Sequence, residues 1–297
     1  MPMKSHEIPE ELEKLDAIDK IPMMDFLSKV TDIFLLVNRT LELLERDEER
    51  TVMEYLTKSK EALKKLGIFD EASIGPPQDK ERLEEEAFAI LEASFRKKLE
   101  NSQLILVNQT LVMLCTIFEI FLNVSLEIVL KRKPEILLST AHEKIITFKD
   151  LVELGDYDSI LNSFRDKVTH KFSREEIEDR ILFYDKHLGI KTTAIFDWQI
   201  YIDEIHELLK GWNLEKLKEV FGKRHDIVHR NELPISNLEE VATIVEFMSK
   251  IIMNISGLLQ DKFKIPIDMK YILYRMLIIQ GKMTVEQFCE AYDIQLD

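Results

Sequence analysis

Residues 221–231 read Phe-Gly-Lys-Arg-His-Asp-Ile-Val-His-Arg-Asn. Six of these eleven side chains (Lys223, Arg224, His225, Asp226, His229 and Arg230) are charged or belong to the residue type that titrates near neutral pH. Two of the chain's seven histidines stand four residues apart here. The composition suits phosphate chemistry. An arginine fork binds phosphate oxygens and stabilises the negative charge that gathers in a transition state. A histidine can move the proton of a ribose 2′-hydroxyl or of a leaving oxygen. RNA carries its own nucleophile in that hydroxyl, so the chemistry requires neither a metal nor a cofactor.

The same residues admit other readings. A solvated helix face carries Lys, Arg, Asp and His without any chemistry. His225 and His229 have the spacing of helical metal ligands, but no third ligand is apparent. His225-Asp226 resembles the pair of HD-type metal phosphohydrolases. In that superfamily the pair usually follows an apolar helical stretch, whereas here Gly222-Lys223-Arg224 precedes it.

Gly222 is expected to end one helix and let a new turn begin near Arg224, whose backbone amides would then favour a phosphate. On a regular helix His225 and His229 share a face. Arg224 and His229 lie about 7.5 Å apart along such an axis and roughly 140° around it. Arg224 must therefore swing at the first turn to join His229. Ile227 and Val228 are expected to anchor that turn to a core.

Helices must do the positioning. The 297 residues include only 8 Gly and 8 Pro, with 45% hydrophobic and 32% charged residues. Sparse turn residues and long runs at helical spacing predict an all-α protein with a substantial core. The net charge of −15 argues against a broadly basic nucleic-acid coat and leaves room for a local basic site. Cys115 and Cys289 are the only cysteines. They suggest no disulfide framework and fit a reducing compartment, with Cys115 expected as a buried thiol. The N-terminal residues show no apolar signal core. The most apolar stretch, 104–130, is interrupted by Asn108, Gln109, Glu119, Asn123 and Glu127. It reads as a bundle helix rather than a membrane span, so a soluble, cytoplasmic protein without a membrane partner is expected.

Along the chain, helices are expected from about Met24 to Leu66 with a polar turn at Arg46–Arg50. Gly67 ends the second of them, and Gly75-Pro76-Pro77 marks the strongest break. A long helix follows from after Asp79 to Lys131-Arg132-Lys133-Pro134. Shorter helices are expected at 148–154, 157–171 and 173–188, the last opened by a Ser173-Arg-Glu-Glu176 capping box. One more runs from Ile195 to Leu209, with Trp198 and Tyr201 as core aromatics, and Gly211 ends it. Asn213 should cap a helix to Phe221, and Ser236-Asn237 should open a last long helix to about Phe263. The organisation expected is an N-terminal helical extension (1–78), a helical bundle (79–263) and a C-terminal helical tail (264–297). The segment Thr284–Ile294 resembles the first helix of a helix-turn-helix, but no recognition helix follows it. It is expected to serve as a packing or oligomer contact.

Arg224, the polar His225, three more residues and His229 together resemble the ribonuclease motif of the HEPN superfamily. That motif is an arginine, usually followed by a polar residue, with a histidine after four to six intervening positions. The flanks are similar too, with a long helix after the motif and an earlier helix at Leu106–Leu122. The resemblance covers roughly residues 85–263. It implies an all-α HEPN-like bundle, usually a homodimer whose two motif copies form one composite RNA cleft. Members are typically metal-independent RNA endonucleases, often toxins or anti-phage effectors, with an antitoxin or sensor protein as a further partner. By carry-over Arg224 would stabilise the scissile phosphate and His229 would be the acid/base or phosphate-orienting donor. His225 would support them, and Glu119 would orient Arg224. Lys223, Arg230 and Asn231 would contact RNA. The alternatives are a non-catalytic nucleotide-binding or dimerisation module that regulates a partner, and a scaffold acting through its N-terminal helices and tail.

Overall fold

The computed structural model describes residues 22–66, 77–137, 156–201, 203–265, 273–274, 277–278 and 280–292. Every regular element among them is helical, as the scarcity of turn residues predicts. In chain order they are α1 (Pro22–Arg46), α2 (Glu48–Lys65), α3 (Pro77–Arg132), α4 (Tyr157–Arg174), α5 (Ile177–Leu188), α6 (Thr192–Ile195) and α7 (Asp203–Leu208). There follow α8 (Leu214–His225), a π-helical turn (Asp226–Arg230), α9 (Leu238–Phe263) and α10 (Val285–Tyr292). Gly67, Gly75, Pro76 and the helix expected at 148–154 lie outside the described residues.

The 56-residue α3 is the spine. Pro77 opens it, where its missing N–H costs nothing. Lys131 and Arg132 close it, where positive charge suits the exposed carbonyls. Its second half buries Leu111, Leu114, Phe118 and Leu122 in one core with Ile244, Phe247, Ile251 and Ile255 of α9. Among the described residues, α3 and α9 are the two helices long and apolar enough to cross a membrane. Both spend that apolar surface largely on other helices. Cys115 is fully buried in this core, as expected, and Cys289 is buried beside Phe288 in a small satellite cluster.

The N-terminal helices pack onto the same spine. Met23, Phe26 and Val30 of α1 belong to the main core, and Phe26 meets Phe121 edge to face at 6.4 Å. The link between α2 and α3 is largely polar. Arg96 joins Glu48 at 3.1 Å, Glu49 at 3.0 Å and Glu92 at 2.9 Å, beside a Tyr55–Phe95 stack at 4.1 Å.

Helix starts follow the sequence closely where a short polar side chain can cap. Asn213 accepts from the amides of Glu215 and Lys216, and Asn237 from that of Glu240. Two expectations fail. Ser173 opens no helix. It lies in the last turn of α4, where its hydroxyl donates to the His170 carbonyl at 2.9 Å. Glu176 precedes α5 and makes no side-chain cap. The helix expected over 195–209 is broken into α6, an irregular stretch and α7. Tertiary bonds hold the break open. The Trp198 indole donates to the Trp212 carbonyl at 2.7 Å, the Tyr201 hydroxyl pairs with Asn254 at 2.6 Å, and Asn254 donates to the Ile195 carbonyl.

One buried amide ties the end of the motif to the spine. The Asn108 side chain donates to the Ile235 carbonyl at 2.8 Å and accepts from the Ile235 amide at 3.0 Å. This paired contact fixes the non-helical segment that leads from the π turn to α9. Asn108→Ala strands a buried donor and a buried acceptor of Ile235. It is expected to cost about 2–4 kcal/mol in urea unfolding, whereas an exposed change such as Thr116→Ala leaves the midpoint in place.

Candidate functional site

Gly222 does not end a helix. It lies inside α8, in open space, and the helix runs on to His225. Leu217 and Val220 on one side and Ile227 on the other are buried, and their packing carries the helix through the glycine. The motif therefore sits at the carbonyl end of α8 rather than at an amide end. The phosphate preference expected from backbone amides near Arg224 does not arise there. The amide end that lines this cleft is instead the start of α5, where Glu176, just before the helix, and Ile177 and Glu178, in its first turn, are lining residues.

After His225 the chain widens into the π turn. The Asn231 amide bonds to the Asp226 carbonyl, five residues back, and Asn231 takes the left-handed conformation with φ 55°. Asparagine tolerates that conformation better than most side chains. On a regular α-helix, Arg224 and His229 would point well apart. Hydrogen bonding from i to i+5 lets residues five apart approach one face, and both side chains line one cleft of about 600 Å³. Ile227 is buried and pins the turn, whereas Val228 is exposed, so only one of the two expected anchors serves.

His225 and His229 share that cleft, with ring centroids 4.6 Å apart and planes tilted by 44°. Both are exposed on its rim. Arg224 is half-buried beneath them and makes no hydrogen bond or ion pair among the described residues, and its Nε–H is buried without an acceptor. Phe221, one helical turn before His225, meets Phe118 of α3 edge to face at 6.1 Å and sets the floor. Cys115 lies below. Burial pushes its thiol well above the ordinary range, with repulsion from Glu119 adding to this and Arg224 opposing it.

The remaining expected residues fare differently. Glu119 lines the cleft, but its carboxylate pairs with Arg180 at 3.5 Å rather than with Arg224. Lys223 does not line the cleft and is held by Glu240 of α9. Arg230 is exposed and pairs with Asp226 at 3.0 Å. Asn231 closes the turn through its backbone. Among the described residues, no three His, Cys, Asp or Glu side chains converge as a metal site.

Arg180 is the most buried of the charged cleft residues that the sequence did not reveal, Arg174 and Lys218 being others. It is 5% exposed, a rare state for an arginine. Its Nε donates to the Glu175 carbonyl at 2.9 Å, and one terminal nitrogen reaches the Ser173 carbonyl and Glu119. Burial pushes its guanidinium below the ordinary value. Glu119 and Glu176 pull the other way, and Arg224 reinforces the burial. Its position on α5 is fixed one turn later by Tyr184, whose buried hydroxyl donates to the Leu122 carbonyl at 2.7 Å. No spacing rule could have found it, because Arg180 and Arg224 meet only through tertiary packing.

Comparison of the chain with family models, with curated proteins and with solved structures finds no match. The functional reading therefore rests on the cleft itself. A first test concerns its framework. If Gly222 is an ordinary interior position of α8, Gly222→Ala raises stability by about 0.5–1 kcal/mol in chemical unfolding. Destabilisation of that size would restore the glycine as a helix end.

Proposed function

We propose that this protein is a metal-independent RNA endonuclease of the HEPN type. The observation that carries the reading is that Arg224, which has no hydrogen bond or ion pair among the described residues, lines one cleft with His225 and His229. The residues match the superfamily's motif in type and order, and the π turn supplies the approach that a regular helix would deny them.

The chemistry needs only groups present in the cleft and in RNA. A ribose 2′-oxygen attacks the adjacent phosphorus, and the bond from phosphorus to the 5′-oxygen breaks. One histidine accepts the 2′-hydroxyl proton, and a proton is returned to the departing 5′-oxygen. His229 takes one of these roles. Arg224 stabilises the charge that builds on the non-bridging oxygens. The products are a 2′,3′-cyclic phosphate and a 5′-hydroxyl.

His225 and His229 stand on an exposed rim, so a second copy of the chain could face them. A homodimer would then bring two motifs to one RNA strand, which fits the superfamily's composite cleft. The net charge of −15 would repel RNA from the rest of the surface and confine it to this groove. A role as a toxin or anti-phage effector, with an antitoxin or sensor as partner, follows from the same reading.

Purified protein incubated with labelled RNA in EDTA is expected to cleave it. Arg224→Ala and His229→Ala should each lower the rate by at least about 100-fold while melting like the wild type. Intact RNA at high wild-type concentration, with or without divalent ions, would remove the nuclease reading. It would favour a non-catalytic binding or dimerisation module instead.

A further inference from the structure

We infer that Arg180 is a second phosphate-binding residue of the cleft, acting beside Arg224, and that Glu119 is the gate on it. The inference rests on the RNA reading above and adds a residue from outside the motif.

Two features of the structure point this way. Arg180 is more than nine-tenths buried, yet one terminal N–H group (Nη1) has no acceptor. Arg224, lining the same cleft, likewise keeps an unmatched buried donor. An unmatched buried donor is costly, and here two of them belong to guanidinium groups that line one cleft. An anion bridging them would satisfy both, and a phosphodiester has the oxygens to do so.

The surrounding charges make the site selective rather than generally basic. The cleft is lined by the carboxylates of Glu119, Glu175, Glu176, Glu178 and Asp226 and by the cations of Arg174, Arg180, Lys218 and Arg224. Lys218 holds Glu178 at 2.9 Å, and Arg230 holds Asp226 at 3.0 Å. Glu119 occupies Arg180 only loosely, at 3.5 Å. Its carboxylate is a stand-in for the phosphate: it keeps the buried guanidinium paired in the free protein and must yield when RNA arrives. The other two Arg180 bonds, to the carbonyls of Ser173 and Glu175, hold the side chain in place meanwhile.

The test uses a single-stranded RNA oligonucleotide that is 2′-O-methylated throughout and so cannot be cleaved, with affinity read by fluorescence anisotropy across a salt series. Arg180→Met should weaken binding about tenfold at low salt. It should also reduce the slope of log K against log salt by about 0.7, the loss of one phosphate contact. Arg180→Lys keeps the charge but not the fork, so the slope should persist while affinity falls. Glu119→Gln should tighten binding about threefold, an effect of competition between carboxylate and phosphate, and the gain should vanish in the Arg180→Met background.

A purely structural arginine would not produce that coupling. Should Arg180→Met fail to fold, Arg180→Lys and Glu119→Gln carry the test alone. Unchanged affinity in both, with Arg224→Ala still impaired, overturns this inference and leaves the nuclease reading intact. No binding by the wild type overturns both.

Discussion

The cleft depends on a local hydrogen-bond change, the step from i+4 to i+5 bonding at Asp226–Arg230. On a continuous α-helix Arg224 and His229 would point about 140° apart. The wider turn keeps Ile227 in the core and brings both polar side chains to one opening. Asn231 makes it affordable by accepting a left-handed backbone, and the Asn108–Ile235 pair fixes the segment that leaves it. Motif, turn and spine are thus one mechanical unit. Irregular helical turns of this sort recur at functional sites because they re-aim side chains without breaking the helix.

Electrostatics complete the arrangement. The chain is strongly acidic, yet its cleft holds carboxylates and cations in near balance before the histidines are counted. Three of the carboxylates have a cationic partner: Glu119 pairs with Arg180, Glu178 with Lys218 and Asp226 with Arg230. Arg224 makes no ion pair among the described residues, and burial disfavours the charge on Arg180, with repulsion from Arg224 adding to it. Such a site is poised for an anion of defined geometry rather than for polyanions at large.

Much of this was legible in the sequence. Composition gave the all-α class, and Asn213 and Asn237 marked two helix starts because a short polar side chain ahead of an apolar run has a direct use for the free amides. The limits of α9 and the end of α3 were legible for similar reasons. Gly222 misled because helix propensity is a small effect, and buried Leu217, Val220 and Ile227 outweigh it. Ser173 misled because a capping pattern can also close the preceding helix. The break after Ile195 depends on Trp198, Tyr201 and Asn254, whose partners lie far off in sequence. Within the site, Arg224, His225 and His229 were readable as a motif. The π turn that unites them was not, and neither was Arg180, an ordinary residue of an amphipathic helix until α5 packs beside α8.

The most direct measurement is the chemistry of the ends left on RNA after incubation in EDTA. If the 2′-hydroxyl is the nucleophile, every cut carries a 5′-hydroxyl and a 2′,3′-cyclic phosphate or its hydrolysis product. A substrate with a single 2′-deoxy sugar at the cut position should then stay whole there. Fragments bearing 5′-phosphate and 3′-hydroxyl ends, or cleavage at the deoxy position, would contradict the proposed use of Arg224 and His229.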